Sequence, residues 1–356
     1  MTFKGTQRRR ACHITNCLER VGGDLNASTS KQETVYTATV LRKDVARAID
    51  LLSDIVFHSE YPQAEIDREV EVICDEIDSY LDSPAELIFD DFESMLFAQH
   101  PLGRDILGQA DRLRSYTTAD AQRFARKYYV PANCAFYVYG DVDFHKVVRL
   151  LERATADVPP GVVPEKSIVP HFYVATTREV SKQTHQAHVV LGAPTFGADD
   201  DRRFALLLLN NILGGPGMNS RLNTSVREKA GLVYSIDSYL NTYPDCGFWN
   251  IYFGCDPKDV KRCMTLVLRE LTKLVSSPLS LQQLSAAKQQ LIGQIGISCD
   301  SSEGYALALG KTFAHYNVHR DVQNICHEVE ALTPEMLQQV AQEVYAADRI
   351  TTLIYN

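Results

Sequence analysis

Apolar residues recur at helical spacing in the segment 62–80, while the positions between them are polar and mostly acidic. The apolar stripe consists of Ile66, Val70, Ile73 and Ile77, at positions i, i+4, i+7 and i+11. This spacing places the four side chains on one buried face of a helix. Pro62 stands at the first turn, where a missing N–H group is tolerated. The pattern therefore predicts one amphipathic helix over residues 62–80.

Elsewhere, short runs of β-branched and aromatic residues predict strands, and longer periodic segments predict helices. The predicted strands are 25–30, 34–41, 134–139, 171–176, 185–191, 233–240, 247–253 and 350–355. The predicted helices are 6–20 (capped by Thr6), 44–56, 62–80, 84–97, 118–129, 144–154, 202–213, 220–229, 257–276, 280–298, 302–317 and 334–345. Strands joined by short turns, with helices in runs, are typical of an α+β fold with mostly antiparallel sheets.

The order helix, glycine, two strands, helix occurs twice, and each last helix opens with Lys-Asp-Val, at 43–45 and 258–260. This repetition suggests an internal duplication. The segment 158–170 holds four prolines in thirteen residues and reads as a linker. We therefore expect two homologous domains, 1–157 and 171–356, each a mostly antiparallel sheet with helices packed on one face. The first half shows no strand before its first helix, so we expect that domain to be incomplete at its N-terminus.

Composition narrows the class of protein. The 36 basic and 45 acidic residues of this 356-residue chain give a net charge of −9, which argues against general nucleic-acid binding. No apolar run approaches the ~20 residues of a membrane span, and the N-terminus lacks the apolar core of a secretory signal. The nine cysteines form no Cys-x-x-Cys pair, which is typical of reduced thiols. We expect a cytoplasmic protein that binds neither nucleic acid nor membranes.

Two carboxylates of the predicted acidic helix are candidates for chemistry. Glu69 and Glu76 are seven residues apart, so they lie about 20° from alignment and roughly 10 Å apart along the axis. One carboxylate could take a metal while the other orients a neighbouring group or a proton. The alternative is a solvated acidic face, the commoner situation for glutamate. Spacing alone leaves both interpretations open.

Five segments, in one order along the chain, resemble the pitrilysin family of zinc metallopeptidases, the inverted zincins. The family includes insulin-degrading enzyme and the mitochondrial processing peptidase, and the best resemblance is to its short bacterial members with two domains. The segments are Phe3-Lys4-Gly5-Thr6, Gly22-Gly23-Asp24-Leu25-Asn26-Ala27, the helix from Arg68-Glu69 to Glu76, His100-Pro101-Leu102-Gly103-Arg104, and Arg227-Glu-Lys-Ala-Gly-Leu-Val-Tyr234.

The resemblance implies roles for six residues. It implies that Glu76 is the third zinc ligand and Glu69 the nearby carboxylate. Asn26 and Ala27 match backbone that pairs with an extended peptide at a sheet edge. Arg227 and Tyr234 match a pair that holds the substrate backbone and the developing oxyanion. Without the resemblance, Arg227 reads as a charge at a helix C-terminus and Tyr234 as a half-buried strand aromatic.

The chain departs from the family at one decisive motif. In the family, the second histidine of His-x-x-Glu-His lies immediately before the position that Met1 occupies here, so two histidine ligands and the catalytic glutamate are absent from these residues. A catalytic zinc needs about three protein ligands and an open water position. The other histidines do not form such a pair: neither His13 nor His58, nor the pairs 185/188 and 315/319, has the motif's spacing with an intervening glutamate.

We therefore expect a zinc-dependent metalloendopeptidase of short or unstructured peptides, working as a homodimer, whose zinc belongs to a longer form and which is inactive as these 356 residues. A coding start placed too late would explain the missing motif. The alternative is a non-catalytic family member that serves as the partner subunit of an active relative in a heteromer, or that binds peptides. A peptide carrier with neither partner nor chemistry is a third possibility.

Overall fold

The computed structural model describes residues 1–163, 170, 173–182, 184–318 and 321–356. The helices are α1 (Ala11–Glu19), α2 (Val45–Phe57), α3 (Gln63–Leu81), α4 (Pro84–Leu96), α5 (Ala110–Leu113), α6 (Thr118–Tyr128), α7 (Phe144–Ala154), α8 (Arg203–Gly214), α9 (Val260–Ser276), α10 (Leu281–Ser298), α11 (Ser302–Tyr316), α12 (Val322–Ala331) and α13 (Pro334–Val344). The strands are β1 (Asp24–Thr29), β2 (Thr34–Thr39), β3 (Thr177–Val180), β4 (Ala187–Thr195), β5 (Val233–Thr242), β6 (Gly247–Cys255) and β7 (Thr351–Tyr355). The predicted α+β class is confirmed.

The described residues fall into two compact units, and neither is continuous in sequence. Unit 1 takes its residues from 1–79, 105–163 and 306–314, and unit 2 takes the remainder. Residues 80–104, which include α4, thus cluster with the second half of the chain. The proposed linker 158–170 lies partly outside the described residues, and the domain limits 1–157 and 171–356 stay predictions.

Unit 1 is built on a hairpin and the helices that cover it. β1 and β2 pair antiparallel from Asp24 opposite Thr39 to Thr29 opposite Thr34. The core beneath them contains Ile14, Leu18, Leu51 and Ile55, all fully buried on α1 and α2. The predicted helix 62–80 is confirmed as α3. Its buried residues are Ile66 and Val70 of the predicted stripe and Cys74, which the stripe did not include. Ile73 and Ile77, predicted in the same stripe, are only half-buried.

Unit 2 contains a five-stranded sheet in the order β3-β7-β4-β6-β5, in which β3 and β7 are parallel and the other pairs antiparallel. Alternate residues of a strand point to opposite faces. Val189 and Trp249 join the core formed with α8, α9 and α13. Val190 and Phe248, their neighbours in sequence, pack with α4. Helices α8, α9 and α13 therefore cover one face of this sheet, as predicted. In addition, α4 covers the opposite face.

The predicted repetition is visible in backbone geometry. In the first half a glycine with φ of +75°, Gly22, separates α1 from the β1–β2 hairpin, and in the second half Gly231, with φ of +64°, precedes the β5–β6 hairpin. Each hairpin is followed by a 3₁₀ turn, at Arg42–Asp44 and at Pro257–Asp259. The long helices α2 and α9 then begin at the valine of each Lys-Asp-Val tripeptide.

Gly231 offers a test of this left-handed junction. An added Cβ at Gly231 would meet nothing within 4 Å, so Gly231→Ala changes only the backbone preference. We expect it to lower the free energy of unfolding by about 1–2 kcal/mol, the cost of a left-handed L-residue. Gly293→Ala, equally open but inside α10, should raise it by about 0.5–1 kcal/mol. Urea titrations of both variants check the sign; two changes of the same sign would contradict the argument.

Several predicted elements were wrong. The helix expected from Thr6 begins at Ala11, because the Thr6 hydroxyl oxygen accepts the amides of Arg8 (3.2 Å) and Arg9 (2.9 Å) in a local turn. Residues 134–139 form no strand, since no described strand pairs with them. The helices α5 and α12 were not predicted. In the predicted strand 171–176, residues 171–172 lie outside the described part, and the observed strand begins at Thr177.

Candidate functional site

The carboxylate of Glu69 on α3 is paired with a lysine from the start of the chain. Lys4 Nζ lies 2.6 Å from Glu69 Oε1, and the two side chains are 32% and 30% exposed. Lys4 closes the short 3₁₀ helix Thr2–Lys4, which places its amine beside α3. Sequence reasoning singled out Glu69 but not Lys4 as its partner. The pairing means that Glu69 is oriented by a neighbouring cation.

Glu76 lies exposed two turns further along α3, and it makes no hydrogen bond or ion pair with the described residues. In the described part of the chain, no group of three or more His, Cys, Asp or Glu side chains could hold a metal ion. A catalytic zinc requires about three such ligands. The donor set described here therefore does not fit zinc: it offers the oxygen of Glu76 without imidazoles beside it.

Two of the histidines weighed as substitute ligands, His58 and His188, have other partners. His58 Nδ1 lies 3.6 Å from Asp54 Oδ1, and its Nε2 lies 3.3 Å from Asp157 Oδ2. His188 Nδ1 is 2.9 Å from the hydroxyl of Tyr252, and burial lowers the pKa of His188. His319 lies outside the described residues. The prediction that His58 and His188 are structural histidines agrees with these contacts.

Asn26 and Ala27 lie side by side on β1, the strand proposed as the peptide edge. They stand opposite Thr37 and Tyr36 of β2. The Ala27 N–H donates to Asn26 Oδ1 at 2.8 Å, so this N–H points away from β2. Among the described strands, β1 pairs with β2 alone, so no described strand occupies its other edge.

Arg227 and Tyr234 come together in unit 2. The guanidinium carbon of Arg227 lies 6.0 Å from the ring centroid of Tyr234, at the outer limit of a cation–π contact. Arg227 Nη1 donates to Asn223 Oδ1 at 3.2 Å and lies 3.6 Å from Glu228 Oε1. Tyr234 is 88% exposed, so the interpretation of it as a half-buried strand aromatic is wrong. The pair presents two kinds of donor to solvent, a guanidinium and a phenol hydroxyl.

The backbone that carries Arg227 is unusual. Residues Asn223–Glu228 form a π-helix, where an α-helix was predicted over 220–229, and the Lys229 N–H donates to the carbonyl of Thr224, five residues back, at 3.1 Å. Asn223 is buried and anchors the segment, since its amide nitrogen donates to the Met218 carbonyl. Single π-turns are rare and often lie at functional sites. No sequence signal in this chain marked the extra residue of the turn.

A buried charge network in unit 1 was also missed. Asp54 on α2 is fully buried, and its Oδ2 accepts hydrogen bonds from the Thr6 hydroxyl at 2.8 Å and from Arg9 Nη1. Asp50, one turn earlier on the same helix, pairs with Arg8 and Arg9. Burial raises the pKa of Asp50, but its hydrogen bonds and charge contacts with the two arginines outweigh burial and hold that pKa below its usual value. The network holds the segment before α1 against α2.

Family models match most of the chain in two consecutive parts. Residues 1–110 match the model described as insulinase, peptidase family M16, and residues 115–291 match the model described as the peptidase M16 inactive domain. None of the described helices combines the length and apolarity needed to cross a bilayer.

Whole-chain relatives give the same result. An uncharacterized zinc protease of Streptomyces coelicolor is 33% identical over 354 residues, which cover 97% of this chain and 76% of that protein. The uncharacterized zinc protease YmxG of Bacillus subtilis is 30% identical over 355 residues, covering 99% of this chain and 86% of that protein. This chain therefore belongs to peptidase family M16, the insulinase family, and the resemblance to pitrilysin-type metallopeptidases is confirmed.

Solved structures agree on the fold. The crystal structure of a peptidase M16 inactive domain from Pseudomonas fluorescens superposes with a TM-score of 0.90 at 20% identity, over 100% of this chain and 85% of that one. A protease from Helicobacter pylori gives a TM-score of 0.89 at 21% identity, over 100% and 87%.

Proposed function

We propose that this protein functions as a zinc-dependent metalloendopeptidase of short or unstructured peptides. Its family membership and the zinc-protease names of its relatives support the reaction class. The observation that supports peptide binding is the contact between the half-buried Arg227 and the exposed Tyr234. Both side chains carry hydrogen-bond donors, which suit the carbonyl oxygens of a peptide backbone.

The chain's own residues would bind substrate through its main chain. An extended peptide adds to the open edge of β1 at Asn26 and Ala27, where backbone hydrogen bonds do not depend on side-chain identity. Arg227 and Tyr234 donate to carbonyl oxygens, and their donation strengthens as negative charge develops on one of them. This mode requires the peptide to be extended, so we expect a preference for unstructured segments.

The zinc-protease names of the relatives support zinc as the metal. Zinc would polarise the scissile carbonyl and activate water. Glu76 is the only residue that we assign as a zinc ligand in this sequence, and Glu69 is the carboxylate near it. The two histidines of His-x-x-Glu-His, and the glutamate that acts as its general base, are not among these 356 residues. We therefore expect the 356-residue chain to bind peptide without cleaving it.

Zinc content and peptide cleavage test the proposal together. A version with a helix carrying His-x-x-Glu-His placed ahead of Met1 is expected to bind one zinc per chain, by inductively coupled plasma mass spectrometry, and to cleave a quenched fluorescent peptide. Glu76→Gln in that version should abolish both, because it removes a ligand. Asp75→Asn, its exposed neighbour on α3, should leave both unchanged. If the version with the motif neither binds zinc nor cleaves, the proposal is wrong.

The second candidate is a non-catalytic family member that holds peptides or serves as the partner subunit of an active relative. No group of three or more donor side chains that could hold a metal ion lies among the described residues, and this candidate needs none. The two candidates differ in assembly. The metallopeptidase is proposed to be a homodimer, which light scattering after gel filtration would show as one species of twice the chain mass. The partner subunit should instead form a stable heteromer with an active family member in pull-down experiments.

A further inference from the structure

A basic cavity of about 500 Å³ lies in unit 2, between the C-terminal part of α9 and the start of α10. Three cationic side chains line it: Arg221, Arg269 and Lys273. Hydroxyl side chains stand beside them, from Thr272, Ser276 and Ser277. The whole chain carries a net charge of −9, so this concentration of positive charge is local.

Arg221 is the most constrained of the three cations. Its side chain is half-buried, and its guanidinium makes no hydrogen bond with the part of the chain described. Burial lowers the pKa of Arg221, and the charge of Glu270 offsets only part of that effect. The buried Glu270 already accepts a hydrogen bond from Lys273 Nζ at 2.7 Å. One carboxylate thus serves two cations, which leaves an excess of positive charge in the cavity.

Arg269 adds a further positive charge to this excess, beside Lys273. They are four residues apart on α9, so they lie on the same face of the helix. Like charges at this spacing destabilise a helix by about 0.2–0.5 kcal/mol. Arg269 makes no ion pair among the described residues to relieve that repulsion. A bound anion would relieve it.

The helix ends around the cavity would repel a bound anion only weakly. The C-terminal carbonyls of α9 carry partial negative charge. The carbonyl of Val275 nevertheless accepts hydrogen bonds from the side-chain amides of Gln338 and Gln342, both at 3.3 Å. On the other side, Gln283 in the first turn of α10 lines the cavity, close to the positive end of that helix dipole.

We propose that this cavity binds a small multivalent oxyanion, such as a phosphate group carried by a small molecule. Guanidinium and ammonium groups interleaved with hydroxyls are the donors that oxyanions use in proteins. The cavity volume falls within the range of small-molecule sites. The cavity differs in chemistry from the proposed peptide-binding residues, because its cations would bind a negatively charged ligand whereas those residues would bind peptide backbone groups.

Calorimetric titration of the full chain at constant ionic strength tests the proposal, with inorganic phosphate as the probe, citrate as a second arm and chloride as the reference. We expect saturable phosphate binding at one site per chain, with Kd at or below about 1 mM. Stronger binding of phosphate than of citrate assigns a phosphate ligand, and the reverse order assigns a polycarboxylate. Heats no greater than those of chloride in both arms overturn the proposal.

Variants locate the binding. The double variant Arg269→Gln/Lys273→Gln changes two exposed side chains and should weaken the favoured anion at least ten-fold. Lys261→Gln, an exposed cation of α9 that does not line the cavity, should leave the affinity unchanged. Arg221→Gln should weaken binding in the same way, with circular dichroism confirming its fold. Equal weakening by Lys261→Gln and the double variant would show a general charge effect and overturn the assignment.

Discussion

Arg227→Ala is expected to weaken the binding of an extended peptide to the 356-residue chain by about 10- to 100-fold. The physical reason is the loss of charge-assisted hydrogen bonds to peptide carbonyls, worth about 1.5–3 kcal/mol. Because the measurement is binding and not cleavage, it does not depend on zinc. Fluorescence anisotropy of a labelled unstructured peptide gives the Kd of each variant directly.

Three companion variants make the result specific. Lys229→Ala removes an exposed cation two residues away and should leave the Kd within about two-fold, the effect of a distant surface charge. Arg227→Lys keeps the charge but loses the planar fork, so it should bind between wild type and alanine. Tyr234→Phe removes only the hydroxyl and should have a smaller effect than Arg227→Ala. Equal weakening by Lys229→Ala would show that Arg227 acts only through net charge.

Asp54→Asn is expected to lower the free energy of unfolding of unit 1 by about 3–5 kcal/mol. The substitution keeps the shape of the side chain but leaves Arg9, only 16% exposed, without its fully buried partner. Breaking one side of a buried ion pair typically costs this much. The single tryptophan, Trp249, lies in unit 2, so urea unfolding should be followed by far-ultraviolet circular dichroism and by hydrogen exchange of α2.

Asp50→Asn is the matched control, because Asp50 contacts the same arginine but its side chain is 42% exposed. Exposed ion pairs contribute about 0–1 kcal/mol, so this variant should stay within that range. A similar loss of unfolding free energy in the two variants would mean that the burial of Asp54 does not increase its contribution to stability. A loss confined to Asp54→Asn would show that this network fixes the start of the chain against α2.

Local patterns predicted the elements whose formation depends on nearby residues. The period of Ile66 and Val70 was enough to place α3, and the predicted helices 44–56 and 257–276 correspond to α2 and α9. These elements depend on hydrophobic periodicity and on turn-forming residues, both of which can be recognised within a short segment of sequence. The α+β class followed from the order of such windows.

Features decided by distant residues were not predictable. Residues 134–139 have strand composition, but a strand also needs a partner, and composition does not supply one. The Asp54 network joins residues 45 and 48 positions apart, a distance no local pattern spans.

In the candidate site, too, the sequence indicated the residues but not the distant contacts that they make. Arg227 and Tyr234 are seven residues apart in sequence, and the resemblance marked both, while the structure added their mutual contact and the exposure of the tyrosine. Glu69 was marked too, but its ion pair with Lys4 spans 65 positions and could not be anticipated. Sequence reasoning thus identified residue types suited to the chemistry and left their partners open.

The five-residue hydrogen-bond spacing before Lys229 has an evolutionary consequence. A helix advances by about 100° per residue, so the loss or gain of one residue between 223 and 228 would swing Arg227 to a different side of its axis. Replacing Thr224 or Ser225 by a residue of similar size would leave that direction intact. Descendants of this gene should therefore accumulate point changes in the segment far more readily than insertions or deletions.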